Sequence, residues 1–141
     1  MTPDDIITAA RACLGTPFRH QGRLPGIGLD CAGVAVEVAR ALGCAPLDVT
    51  GYGRTPAAGQ LEAALDAQPD LERIVDREVR QPGDILLMRF SGEPQHLAIL
   101  TDAGTMIHSY EAVGTCCEHR LSAVWAARIV RVYRFRGVVA P

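Results

Sequence analysis

Hydrophobic periodicity changes once along this chain, and the change dictates the kind of fold it can adopt. In the first part Ile6, Ala9, Ala10, Cys13 and Leu14 recur at helical spacing, and Val34, Ala35 and Val38 repeat the pattern. Thr2 reads as the N-cap of the first helix, with Pro3 at its first position and Asp4 and Asp5 in its first turn. Gly15-Thr16-Pro17 ends that helix, and residues 15–29 read as a glycine-rich loop. Asp30 reads as the N-cap of a second helix that stops at Gly43. Residues 44–57 are irregular, and 58–67 read as a third, short helix with Leu61, Ala64 and Leu65 on one face. Beyond the turn Pro82-Gly83-Asp84 the pattern becomes that of strands: 85–90, 96–101, 105–110 and 128–136, with a further strand at 115–120 and a helical turn at 122–127. Helices first and strands after predict an α+β fold, with N-terminal helices packed on a C-terminal antiparallel β-sheet, in one domain over residues 1–141.

Composition narrows the function. A chain of 141 residues can bury a core without covalent staples. Its formal net charge of -2 argues against a general nucleic-acid binder. All 14 basic residues are Arg, and Lys and Asn are absent, as in a GC-rich coding sequence. The start Met1-Thr2-Pro3-Asp4-Asp5 has no basic or apolar stretch, so the expectation is synthesis in the cytoplasm without a signal peptide. No apolar run approaches the roughly 18 residues of a membrane span, so no membrane insertion is expected. Five cysteines without a signal argue against a disulfide framework. Cys116-Cys117-Glu118-His119 hints at a metal, but adjacent cysteines rarely point at one ion. The expectation is no metal and no cofactor.

Three segments carry chemistry. Gly28-Leu29-Asp30-Cys31-Ala32-Gly33 puts a cysteine in the first turn of a helix, after a glycine-rich loop. The partial positive charge and unpaired N–H groups of a helix start favour a thiolate and an oxyanion. Ala32 and Gly33 leave room for a substrate, although the same pattern would suit a buried capping cysteine. His96-Leu97-Ala98-Ile99-Leu100 starts an apolar strand with a histidine, and Met106-Ile107-His108-Ser109 carries a second. His96 and His108 are equidistant from Asp102, so a turn centred there sets them directly opposite each other. His108 can then orient His96, and with no Asn in the chain nothing else obvious fills that role.

In these segments, together with Gly15-Thr16-Pro17-Phe18-Arg19 and Pro82-Gly83-Asp84-Ile85-Leu86, the chain resembles the NlpC/p60 cysteine peptidases, papain-like enzymes that cut bacterial cell-wall peptides. The stretch Arg19-His20-Gln21-Gly22-Arg23-Leu24-Pro25-Gly26 and Tyr52-Gly53-Arg54 are similar to the phage-tail and gene-transfer-agent branch. The resemblance implies Cys31 as nucleophile, His96 as general base and His108 as orienting residue, acting on peptidoglycan stem peptides between D-glutamate and the following diamino acid. The family usually has a Tyr near the oxyanion site where this chain has Phe18, so His20 or Gln21 becomes the candidate second donor. Arg19, Arg23 and Arg54 are candidates to pair with substrate carboxylates. The branch implies partners among tail or baseplate hub proteins and delivery to the wall in a virion or phage-like tail. The alternatives are a structural tail-hub or assembly module with little or no catalysis, and a CHAP-like amidase, whose Cys-before-His order is the same.

Overall fold

The computed structural model describes residues 1–48, 59–90 and 92–139. Local capping starts the two longer helices. α1 (Pro3–Arg11) opens on a capping box in which the Thr2 hydroxyl accepts from the Asp5 N–H and the Asp5 carboxylate accepts from the Thr2 N–H. α2 (Cys31–Ala41) opens on Asp30, whose carboxylate accepts from the Gly33 N–H at 2.8 Å. Between them the loop contains a two-stranded ribbon, β1 (Arg23–Leu24) with β2 (Gly28–Leu29), closed by a turn in which Gly26 takes a left-handed φ of 81°. Two-residue strands among glycines carry no readable period, so sequence shows only a loop there. α3 (Gln60–Asp66) follows as expected, and the irregular residues 49–57, Arg54 among them, lie outside the described residues.

The second half forms a six-stranded antiparallel sheet. Its strands are β3 (Leu71–Ile74), β4 (Ile85–Phe90), β5 (Glu93–Leu100), β6 (Thr105–Tyr110), β7 (Thr115–Arg120) and β8 (Ile129–Phe135), in the spatial order β3-β8-β4-β5-β6-β7. β3 is the strand that periodicity misses: it is four residues long, at the sheet edge, and buries only Leu71 fully. β4 lies inside the sheet with both faces covered, which explains the unbroken run Ile85-Leu86-Leu87-Met88. Ile85 and Leu87 face α1 and α2 through Ile6, Ala10, Val34 and Val38. Leu86 and Met88 join a second core with Ala98, Met106 and Val132, onto which α4 (Ala123–Ala126) packs Trp125.

The β5–β6 hairpin is centred one residue later than expected. Ile99 pairs with Ile107 and Leu100 with Met106, because Thr101 and Thr105 close a loop in which Gly104 takes a φ of 71°. His96 and His108 are therefore diagonal rather than directly opposite, and they still share the face turned away from α1 and α2. The β4–β5 ladder is also irregular. Met88 pairs with His96 but Arg89 with Pro94, so Gln95 is an extra residue beside His96.

The loop and α2 touch backbone to backbone. A Cβ on Gly33 would overlap the Gly22 carbonyl oxygen, and one on Gly22 would approach the Gly28 oxygen to 2.5 Å. Gly33 thus makes room for the loop, not for a substrate. Gly33→Ala is expected to destabilise the fold by about 2 kcal/mol through overpacking, a fall of roughly 5–8 °C in thermal midpoint. An unchanged midpoint in a thermal melt would show that α2 is not seated on the loop in this way.

Candidate active site

Cys31 is the first residue of α2, and a set of hydrogen bonds holds its surroundings. The Asp30 carboxylate takes the Gly33 N–H, the Gln21 N–H at 2.8 Å and the Arg23 guanidinium at 2.9 Å. Gln21 is held there with a left-handed φ of 60°. The Ser109 hydroxyl donates to the Leu29 carbonyl at 2.6 Å, tying β6 to the residues just before Cys31. The Cys31 sulfur lies against the backbone N–H groups of Leu97 and Ala32. It is thus next to the residue that follows His96.

Cys31 and His96 both line a cavity of about 570 Å³. Strand alternation alone would aim His96 at the second core. Its ring does lie on that side, 6.3 Å from Trp125 between centroids, and the cavity reaches it beside the extra residue Gln95. Phe90 stacks on its ring at 4.8 Å between centroids.

Behind His96 runs a chain of histidines. His96 Nε2 meets His108 Nδ1 at 2.6 Å, His108 Nε2 meets His119 Nε2 at 2.8 Å, and His119 Nδ1 meets the Arg120 carbonyl oxygen at 2.9 Å. A carbonyl only accepts, so His119 Nδ1 carries a proton. With three neutral rings, His119 Nε2 accepts from His108 Nε2–H, and His108 Nδ1 accepts from His96 Nε2–H. The polarity of the chain leaves the His96 lone pair on Nδ1, where it can take a proton. Sequence reasoning did not single out His119 for this role. Its signal is the pairing of Met106 with His119 across β6 and β7, which sets it one step from His108 on the same face.

The electrostatics favour a neutral resting pair. Burial, with Arg128 and the other two histidines nearby, holds His96 well below its ordinary 6.5. Burial, then His119, brings His108 down to about 4. Burial and the Asp30 carboxylate push the Cys31 thiol up to about 12, outweighing the helix start that was expected to favour a thiolate. Thiol and imidazole are thus both held in their neutral forms.

The remaining predicted residues are spread around this centre. Phe18 and His20 line the cavity with Cys31. Gln21 turns its backbone N–H to Asp30, and its side-chain nitrogen is 3.4 Å from His20 Nε2. Arg23 lines the cavity but pairs with both Asp30 and Asp48. Arg19 is exposed and lays its aliphatic stem on Gly28. Alternation separates the neighbouring cysteines: Cys116 is in the helix-side core, whereas Cys117 pairs with His108 across the ladder. The donor atoms of His108, Cys117 and His119 lie within 4.8 Å of one another, a set that could hold a metal ion.

The NlpC/P60 family model matches residues 15–134. The chain belongs to the NlpC/P60 family. Solved structures share the fold. An NlpC/P60 family protein from Bacillus cereus superposes with a TM-score of 0.68 at 23% identity, covering 96% of this chain and 40% of that one. The NlpC/p60 domain of the peptidoglycan hydrolase SagA gives 0.63 at 21% identity over 94% of this chain and 97% of the domain. The peptidoglycan hydrolase RipB of Mycobacterium tuberculosis gives 0.66 at 15% identity over 97% and 65%. The chain thus spans about two fifths of the Bacillus cereus protein. No curated protein sequence matches it significantly.

The lowered histidines make a stability prediction for this NlpC/P60 chain. Below pH 6.5 the unfolded chain takes up protons that buried His96 and His108 refuse, so stability falls with pH until the folded values are reached. For His108 the loss is complete near pH 4 and amounts to about 3 kcal/mol. The lowered carboxylates of Asp66 and Glu118 lose their contribution only in the carboxylate range below that window. The urea midpoint should therefore drop between pH 6.5 and 4.5, and drop less in His108→Asn. A midpoint that is flat over this window would mean the rings protonate freely.

Proposed function

We propose that the chain is a cysteine peptidase that hydrolyses peptidoglycan stem peptides. Cys31 is the nucleophile, His96 the general base and His108 the residue that orients it. One observation carries this reading. A cysteine at a helix start shares a cavity with the histidine that ends a polarised chain of three rings. Membership of the NlpC/P60 family supports the same reaction class.

The Cys31 sulfur attacks the amide carbon while His96 Nδ1 takes the thiol proton. The C–N bond breaks as His96 returns that proton to the departing amine. Water then attacks the thioester with His96 as base, and Cys31 leaves and is reprotonated. The Cys31 backbone N–H, unpaired within its helix, is the first oxyanion donor. His20 or Gln21 is the second, in place of the hydroxyl that Phe18 lacks.

The scissile bond is the one between D-glutamate and the following diamino acid. Arg19 and Arg54 are the basic groups for the substrate carboxylates, while Arg23 serves the site through Asp30. The protein works in a phage, prophage or gene-transfer-agent particle, docked on tail or baseplate hub proteins and carried to the wall. This part is supported by the Arg19–Gly26 stretch and by a net charge of -2, which suits a docked component better than one clinging to an anionic wall.

Purified stem peptides incubated with the protein should yield fragments cut at that bond, read by mass spectrometry. Cys31→Ala should lower turnover by roughly a thousandfold or more. Product formation untouched by Cys31→Ala would remove Cys31 as nucleophile, and cleavage at the glycan-proximal amide would favour the amidase reading. A second reading, a structural hub module, is favoured by Phe18. It predicts that Cys31→Ala particles assemble and still cross the wall. Particles that assemble but stall at the wall support the peptidase.

A further inference from the structure

The β6–β7 ladder places two imidazoles and a thiol on one face. His108 pairs with Cys117, and Met106 with His119, so His108, Cys117 and His119 project together on the side away from α1 and α2. Their donor atoms lie within 4.8 Å of one another. Cys117 and His119 are partly exposed, so solvent reaches the group, while His108 is fully buried behind them. The family assignment makes use of none of Cys117 and His119.

We propose that His108, Cys117 and His119 form a binding site for a thiophilic divalent cation, zinc above all, and that filling it silences the neighbouring cavity. The donor set is the argument for the metal. Two imidazoles and one thiolate suit zinc, which bonds nitrogen at roughly 2.0–2.1 Å and sulfur at roughly 2.3 Å in a tetrahedron. The two Nε2 atoms are 2.8 Å apart. A tetrahedral ion needs them about half an ångström further apart, a small ring movement. The second shell is already built. The Arg120 carbonyl accepts the His119 Nδ1 proton, which fixes the tautomer with a lone pair on Nε2.

The silencing follows from proton order and rests on the peptidase reading above. Binding releases the Cys117 thiol proton to solvent. The metal takes the His108 Nε2 lone pair, so the neutral ring keeps its proton on Nδ1. That N–H now donates to His96 Nε2 across the 2.6 Å contact. Neutral His96 must then carry its own proton on Nδ1, the nitrogen proposed to receive the proton of Cys31. The number of ring protons is unchanged, but the chain points the other way.

The experiment uses the whole chain with Zn²⁺, and with Co²⁺ as a coloured substitute. Titration calorimetry on Cys31→Ala, which lacks the competing cavity thiol, should show one site. Co²⁺ should give the strong ligand-to-metal band of a thiolate complex. Cys117→Ser should weaken binding roughly a hundredfold and abolish that band. Nitrogen-15 spectra of the imidazoles should show the His96 proton moving from Nε2 to Nδ1 on zinc binding. In the wild type, zinc should inhibit stem-peptide cleavage, and Cys117→Ser should keep the basal rate and lose the inhibition. No binding, or binding that survives Cys117→Ser, overturns the site. Binding with the His96 proton still on Nε2 overturns the silencing. An inactive wild type that nonetheless binds zinc and flips His96 overturns the peptidase reading and supports the site.

Discussion

The carboxylate of Asp30 is the joint on which the candidate site depends. It is buried and takes hydrogen bonds from the first turn of α2, from the backbone of Gln21 and from Arg23. Each bond fixes a different part. The first starts the helix at Cys31, the second holds the loop in its left-handed step, and the third draws in Asp48 through Arg23. The same group acts against the chemistry it positions, because its charge helps to push the Cys31 thiol up. Placement and activation are thus supplied by different residues: Asp30 places the sulfur, and a partner must take its proton.

The His96 ring, which shares the cavity with that sulfur, is itself tied to a carbonyl three hydrogen bonds away. The Arg120 oxygen has no proton to give, and this one fact propagates through His119 and His108 to decide which nitrogen of His96 is bare. His96 and His108 are held toward their neutral forms because they are buried among aromatic groups, with Trp125 edge-on to His108 and Phe90 flat on His96. Arg128, over both Phe90 and Trp125, closes the box with a positive charge that further disfavours a charged His96. A chain of this kind gains direction from its end, so a change at the far end matters as much as one beside the sulfur.

Much of this was legible in the chain before any coordinates. The α1 and α2 caps are local events, since Thr2 and Asp30 bond groups within three residues, and they could be read from sequence. β4 could be read because both its faces are apolar. What could not be read depends on partners far along the chain. β3 is a strand only because β8 lies beside it, with Leu71 against Phe135. The hairpin centre is moved by a Thr101–Thr105 closure that alternation does not encode. The resemblance to the NlpC/p60 peptidases singled out Cys31, His96 and His108, and the structure brings Cys31 and His96 to one cavity and His108 to the His96 ring. The part of His119 emerges only when β6 and β7 pair, which no spacing along the chain reveals.

The register of β6 against β7 therefore has two consequences from one cause. Alternation removes Cys116 to the helix-side core and leaves Cys117 beside His108, so two adjacent cysteines that would be poor joint ligands become one core residue and one donor. The ladder that completes the proton chain through His119 also completes a set of metal donors on the same nitrogen of His108. A proton and a metal ion compete for that atom, and the winner sets the direction of every hydrogen bond between it and the cavity. The histidine chain that would make His96 a base is for that reason also a route by which the proposed metal would turn the site off.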